Sequence, residues 1–385
     1  MKTFKIYKTV NRLPKLWDGL TAHDIFLQKK YLIALEQASP KNIQFYYIAI
    51  FEDETLLGIA IVQRVQLYLK DMFRISKVSC FKDFLKDSVS KIIKGNILVV
   101  GNLMHTGQHG IYFNQNKIDF DTFLNLVYEA LMALKKDIKY SDKKTIRAVI
   151  FKDYFQDDFI HLEKKFFNFK KLQKISVQPN MVLAVNPYWL SFNDYFLSLN
   201  KKYKLRYKRA RKKLGNIISK ELLLEAILEH ENTLYNLYLN VSNNAAFNTF
   251  ILPKKHFYNL KLALGDQFKV FGYFLDNELV GFYTLILNNN QLETYFLGYD
   301  EAHQYPNQLY LNMLYDMLQF GIENKFANIV YARTAMEIKS SVGAKPKPMS
   351  VYIKHTNGIL NAILKQLFKL MNPKQDWEER HPFKI

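Results

Sequence analysis

The feature that most constrains the fold of this chain is an internal repeat. Residues 47–60 read YIAIFEDETLLGIA, and residues 270–283 read VFGYFLDNELVGFY. At one constant offset, Phe51 matches Phe274, Asp53 matches Asp276, Leu56 matches Leu279 and Gly58 matches Gly281. Each copy is a β-rich run, a short acidic turn and a second β-rich run, which predicts a hairpin. Asp and Asn suit such a turn because they tolerate left-handed backbone and bond locally. A glycine in the second strand lets another group approach it closely.

The echo continues downstream. Residues 96–113 predict strand, loop and strand, 121–136 a helix, and 145–151 a strand. After the second hairpin, 291–299 predict a strand, 307–324 a helix and 328–332 a strand. In that helix Pro306 precedes Asn307, read as the N-cap. Leu311, Leu314, Leu318 and Gly321 follow as one core-facing stripe. Each copy reads hairpin, strand, helix, strand. The order predicts an α/β (α+β) chain of two tandem domains, each a mixed β-sheet flanked by helices. A length of 385 residues suits two domains of ordinary size. The division is placed between 1–185 and 186–385.

The second domain opens with a basic amphipathic helix, about 191–214. Ser191 and Asp194 form a capping box. Phe192, Phe196, Leu199, Tyr203, Tyr207, Ala210 and Leu214 make its apolar stripe. Between them, residues 201–213 read KKYKLRYKRARKK, and Gly215 is the expected stop. A last helix, 358–371, is expected to pack on the second domain; lying on a membrane surface is the alternative.

Charge narrows the partners without choosing one. The chain has 54 basic and 35 acidic residues, a net +19. Such a field attracts nucleic acid, anionic lipid or phosphorylated cofactors. A Lys-rich source is the plain alternative. The one cysteine, Cys80, excludes an intramolecular disulfide and a cysteine-built zinc site. It reads as a small buried hydrophobe. No run has the apolar length of a signal peptide or a membrane span, so a soluble cytoplasmic protein is expected. Peripheral contact with the inner face of an anionic membrane stays open.

Candidate chemistry gathers at predicted strand ends, where open α/β sheets carry their sites. Arg333, Glu337 and Lys339 follow the last such strand. Arg333 and Lys339 suit a phosphate or carboxylate, and Glu337 suits removal of a proton from an attacking amine. Tyr295, Tyr299 and Asp300 end the preceding strand, where a tyrosine suits protonating a leaving group. Asn243, Asn244 and Asn248, with Phe247, Phe250 and His256, lie in SNNAAFNTFILPKKHF and suit an acceptor pocket. Turn asparagines and a solvated helix histidine are the plain reading. His105 and His109 bracket Gly107 in a loop without a nearby acid, and no metal site is assigned. There is no P-loop, dinucleotide fingerprint, HExxH or nucleophile elbow.

These stretches resemble a known group. FLQKKYLIALEQASPKNIQFYYIAIFEDETLLGIA, GNLMHTGQHGIYF, LNKKYKLRYKRARKK, the hairpin with Leu279-Val280-Gly281, and YARTAMEIKSSVGAKP look like the FemAB-like branch of the GNAT superfamily. Its members are tandem-GNAT proteins often labelled peptidoglycan-biosynthesis or BioF-associated acetyltransferases. The resemblance implies two packed GNAT folds and an N-acyltransferase that moves an acyl or aminoacyl group onto an amine. It implies acyl-CoA or aminoacyl-tRNA as co-substrate, with no bound cofactor, and a small-molecule or lipid-linked amine acceptor. It also makes Lys339 the first choice for substrate contact.

The catalytic set is therefore Lys339, Glu337 and Tyr299. The substrate-binding set is Arg333, Tyr295, Asn243, Asn248 and His256. Where the family's glycine turn would wrap a pyrophosphate, this chain reads QYPNQLYL. Helix amides beginning near Gln308 remain as a phosphate site. Lys208, Arg209 and Arg211 suit tRNA phosphate in an aminoacyl-tRNA-dependent reading. A non-catalytic scaffold on anionic membrane is the third reading.

Overall fold

The computed structural model describes residues 1–67, 95–244, 248–371 and 377–384. Cys80 and Phe247 lie outside the described residues. In chain order the first elements are β1 (Lys2–Tyr7), α1 (Lys29–Gln37), β2 (Ile43–Glu52), β3 (Thr55–Leu67), β4 (Gly95–Val100), β5 (Ile111–Phe113), α2 (Phe120–Ser141) and β6 (Ile146–Phe155). Next come β7 (Gln173–Ala184), α3 (Phe192–Ser198), α4 (Lys201–Leu214), β8 (Ile218–Glu221), α5 (Glu231–Asn244), α6 (His256–Leu264) and β9 (Phe268–Leu275). The chain continues through β10 (Glu278–Asn288), β11 (Gln291–Tyr299), α7 (Leu309–Glu323), β12 (Asn328–Val330), α8 (Met336–Ser340), β13 (Lys345–His355) and α9 (Gly358–Met371).

The chain divides into two compact units, and neither is one continuous stretch. The first holds Met1–Val177 and the run that begins at Pro348. The second begins at Gln178, runs through Lys347 and takes in the C-terminal tail; a short excursion ending at Pro253 belongs to the first. The units are thus not the contiguous halves 1–185 and 186–385. Strand pairing follows open sheet edges, which chain order does not dictate.

The first unit's strands run in the order β1-β2-β3-β4-β6-β13, with β5 set on β3. β4 and β6 are parallel. From Met349 to His355, β13 pairs antiparallel with β6, so a strand from late in the chain completes this sheet. Helix α2 is started by Asp119, whose side chain accepts from Thr122 N. It lays Phe123, Leu124, Val127, Leu131, Leu134 and Ile138 on the sheet, all buried. Each such side chain contributes about 1.5–3 kcal/mol on burial. The second unit's order is β7-β12-β11-β10-β9-β8. Here α7 buries Leu311, Leu314, Leu318 and Gly321, the stripe read from the sequence.

The sequence repeat is a structural one. β2–β3 and β9–β10 are both antiparallel hairpins. Their turns use left-handed residues, Asp53 at φ 54° in one, Asp276 at φ 47° and Asn277 at φ 70° in the other. Both carry a bulge at the matched place. The register jumps between Ile50↔Gly58 and Phe51↔Leu56. It jumps likewise between Tyr273↔Gly281 and Phe274↔Leu279. The matched glycines lie under matched helices. A Cβ at Gly58 would sit 2.6 Å from the Phe123 ring of α2, and one at Gly281 would sit 2.8 Å from Met313 Cε of α7.

Three expectations change. The basic segment is two helices, not one. The capping box at Ser191 and Asp194 is present, but Leu199 turns extended and Asn200 caps a new helix, α4. Leu199 forms a β-bridge with Phe383 of the C-terminal tail, which takes its backbone out of the helix. Gly215 ends α4 at φ 64°. Asn307 is not the cap of α7. That place is held by left-handed Gln308, and the Asn307 side chain donates to Lys213 O at 2.9 Å. Finally, α9 follows β13 into the first unit, where Asn361 Nδ2 donates to Lys171 O at 2.9 Å. Among the described residues, no helix is long and apolar enough to cross a membrane.

Candidate functional site

In the second unit, β11 and β12 start as parallel neighbours and then part. Pairing covers Gln291↔Asn328, Leu292↔Ile329 and Glu293↔Val330. Beyond that, β11 stays with β10 as far as Tyr299. The chain after β12 instead follows β7, with Tyr331 N donating to Met181 O at 2.8 Å and Met181 N donating to Ala332 O at 3.1 Å. The sheet therefore opens at the carboxyl ends of two adjacent strands, a place where α/β folds bind ligands.

The loop leaving β12 is strained and pinned. Ala332, Thr334 and Ala335 have φ of 58°, 66° and 46°. Left-handed backbone at non-glycine residues costs on the order of 1–3 kcal/mol each, and such strain clusters at functional sites. Lys339 on α8 reaches back into this loop. Its Nζ donates to Arg333 O at 2.6 Å and to Ala332 O at 3.3 Å. The side chain is buried, and no carboxylate pairs with it among the described residues. Burial pushes its ammonium down to about 7. The same cause pushes the Arg333 guanidinium down to about 10. Two desolvated cations at an open strand end favour an anionic ligand or a developing oxyanion.

The other candidates scatter. Glu337 faces solvent and is gripped by Arg380, whose Nε donates to Oε1 at 3.2 Å. Tyr299 is half-buried, its phenol pushed up by burial, and its carbonyl accepts from Asn240 Nδ2 at 3.2 Å. No hydrogen bond joins Lys339, Glu337 and Tyr299 among the described residues. Tyr295 and His256 do meet, with Oη and Nε2 3.1 Å apart and the rings stacked. His256 is fully buried, which overturns its reading as a solvated helix histidine. Asn243 is exposed at the end of α5, while Asn248 falls in the first unit's excursion, so they are not one cluster within a unit.

The phosphate candidates divide as well. Gln308 is half-buried, and the amide of Tyr310 beside it is already taken by Gln304 Oε1 at 2.9 Å. Lys208 and Arg209 are exposed on α4. Arg211 turns inward. It meets Asp316 Oδ1 of α7 at 2.5 Å and lies over the Tyr207 ring. Tyr273 donates to the other oxygen of Asp316. Arg211 is thus a packing residue rather than a free phosphate grip.

Sequence reasoning passed over Asp316, Tyr273 and Gly298. Asp316 had a signal, since it is an acid in mid-helix among the apolar residues of α7. At Gly298 a Cβ would lie 2.4 Å from Leu237 C, so α5 crosses β11 there with no room for a side chain. In the first unit, His109 Nδ1 lies 2.7 Å from Asp24 Oδ2, an acid that sequence distance had hidden.

No protein-family model matches the sequence, and no curated protein matches it. Solved structures do. The crystal structure of FemX aligns over 95% of this chain and 100% of its own, with a TM-score of 0.56 and 10% identity. The fold is tandem GNAT. A tandem GNAT protein from the clavulanic acid biosynthesis pathway aligns over 93% of this chain and 99% of its own, at a TM-score of 0.51 and 8% identity. The C-terminal domain of a protein described as a lysylphosphatidylglycerol synthetase, from Agrobacterium fabrum, aligns over 94% and 96%, at 0.50 and 9%. Identities this small show the tandem GNAT fold and leave the reaction to the residues.

Proposed function

We propose that this chain is an N-acyltransferase that moves an acyl group from an acyl-CoA-like donor to an amine, with its chemistry in the second unit. The observation that carries this reading is the strained loop Ala332–Ala335, pinned by the buried Lys339 where β11 and β12 part. Attack of a neutral amine on a thioester carbonyl builds negative charge on the carbonyl oxygen. Two of the three ammonium donors of Lys339 hold backbone carbonyls. In this reading the third meets that oxygen or a donor phosphate. Arg333 adds a second positive charge in the same loop. The tandem GNAT neighbour from the clavulanic acid pathway is named with reference to AcCoA, which supports a CoA thioester as donor. The acceptor is a small-molecule or lipid-linked amine. Incubation with acyl-CoAs of several chain lengths and a panel of amines tests this by release of free thiol. Release that disappears in Lys339→Met is the expected result. A folded protein that shows neither thiol release nor a thermal shift with any donor sinks the reading.

A second reading is aminoacyl transfer from tRNA. It is favoured by the exposed Lys201, Lys202, Lys208, Arg209, Lys212 and Lys213 of α4. One solved neighbour is described as a lysylphosphatidylglycerol synthetase, a name that carries an aminoacyl group and supports the same reading. Removing a cation that neutralises a phosphate weakens polyanion binding and flattens its salt dependence. Charge reversal at Lys208, Arg209 and Lys212 should weaken tRNA binding at least tenfold at moderate salt. Unchanged binding removes this reading. Arg211 is left out of that set because it holds Asp316.

A further inference from the structure

The first unit holds a cavity that plays no part in the chemistry above. Its volume is about 150 Å³, and it lies where β5, the start of α2 and the turn after β6 come together. Its walls are mostly aromatic: Tyr112, Phe113, Phe120 and Phe159. Polar side chains complete it: Gln108, Gln115 and the pair Tyr154 and Asp158. The room matches a ligand with a handful of heavy atoms.

The polar pair has spare capacity. Asp158 Oδ2 accepts from Phe155 N at 2.7 Å and so fixes the turn after β6. Among the described residues, Oδ1 has no hydrogen-bond partner, and no basic side chain pairs with this carboxylate. Burial pushes the carboxyl up, with Asp157 adding to the effect. Tyr154 is 2% exposed, yet its hydroxyl has no hydrogen-bond partner among the described residues. The hydroxyl and the half-buried carboxylate both open onto the cavity, where a polar ligand can bond them.

Acidic side chains lie near the cavity, with Lys2 acting on one of them, Asp119. In a chain of net +19, acids gather at this place. Asp157 raises Asp158, and Asp121 and Asp119 raise Glu163. Asp119 and Asp121 flank Phe120, and Asp157 lies two residues before Phe159. A local acidic field selects a cation, and aromatic faces hold one well when it is desolvated.

We infer that this cavity binds a primary ammonium group, the end of an alkylamine or lysine-like ligand, with the charge on Asp158 and the carbon chain against Phe113, Phe120 and Phe159. The ammonium donates to Asp158 Oδ1 and to the Tyr154 oxygen. The aromatic rings surround the carbons and add cation–π attraction. A neutral amide of the same shape lacks the charge that Asp158 and its acidic surroundings select. The site does not depend on the transfer chemistry assigned to the second unit.

Isothermal titration of the whole chain with n-butylammonium and with Nα-acetyl-lysine methyl ester tests this, against the Nε-acetylated form of the latter as neutral control. Butylammonium and the lysine derivative should bind, and the acetylated control should bind at least tenfold more weakly. Asp158→Asn should weaken the amines tenfold or more. Phe159→Ala, a change at an exposed side chain that leaves the fold intact, should weaken them several-fold. Equal binding of the acetylated control overturns the inference. So does binding unchanged in both variants, or no amine bound at millimolar concentration by the folded wild type.

Discussion

The ammonium of Lys339 donates to the carbonyl oxygen of Arg333 at 2.6 Å, across a loop in which Ala332, Thr334 and Ala335 hold left-handed backbone. A buried cation thus keeps a strained loop in shape at the open end of two strands. It also sets a pH dependence. The folded value of about 7 lies below the ordinary lysine value. From about pH 7 to the ordinary value, the unfolded chain binds a proton that the folded chain does not. Stability therefore rises with pH through that window, by up to about 1.4 kcal/mol per pH unit, and is lost as pH falls back towards 7. Lys339→Met should remove this slope. Urea unfolding at pH 7 and pH 10 for both proteins measures it, and parallel pH profiles contradict the assignment.

Lys339 and Glu337 should separate in catalysis. If the transfer reaction runs at this loop, Lys339→Met lowers kcat about 100-fold or more, the scale of a missing oxyanion donor. Glu337 is held by Arg380 on an exposed face. Glu337→Gln should change kcat less than about tenfold, below the usual contribution of a general base. A larger loss for Glu337→Gln than for Lys339→Met would reverse the two roles.

Arg211 and its neighbour Arg209 make a second contrast. Arg211 pairs with the half-buried Asp316, which also accepts from Tyr273. Removing one partner leaves the other charge desolvated, so Asp316→Ala or Arg211→Ala should cost about 2–4 kcal/mol. Arg209→Ala should stay within about 0.5 kcal/mol. Denaturant midpoints of the three variants decide it.

The matched glycines differ in what they touch. A Cβ at Gly58 meets the Phe123 ring at 2.6 Å and Phe113 Cβ at 2.8 Å, both firmly packed. At Gly281 the nearest atom is the mobile tip of Met313 at 2.8 Å. Gly58→Ala should cost about 2–3 kcal/mol, and Gly281→Ala about 1 kcal/mol or less. Equal melting-temperature losses would mean that α7 is as rigid over its hairpin as α2 is.

Much of the architecture was legible before the structure. The hairpin repeat announced itself because turn chemistry and alternation act within a few residues. Asp53 and Asp276 sit in the left-handed turns their residue type favours, and Gly58 and Gly281 pass under helices that need the space. The stripe of α7 and the capping box at Ser191 were legible for the same local reason. The candidate site was legible only as a region. Lys339 was singled out, but its grip on the Ala332–Arg333 backbone was not.

What sequence alone determined, then, was two copies of a hairpin–strand–helix–strand unit and the solvent and core faces of their helices, since those follow from period and turn residues. Tertiary structure decided everything that depends on which distant groups meet. It brought β13 to β6, Asp24 to His109 and Asp316 to Arg211, and it buried His256 against Tyr295. Pairing of edges and compensation of buried charge are settled by the three-dimensional neighbourhood. No spacing along the chain encodes it.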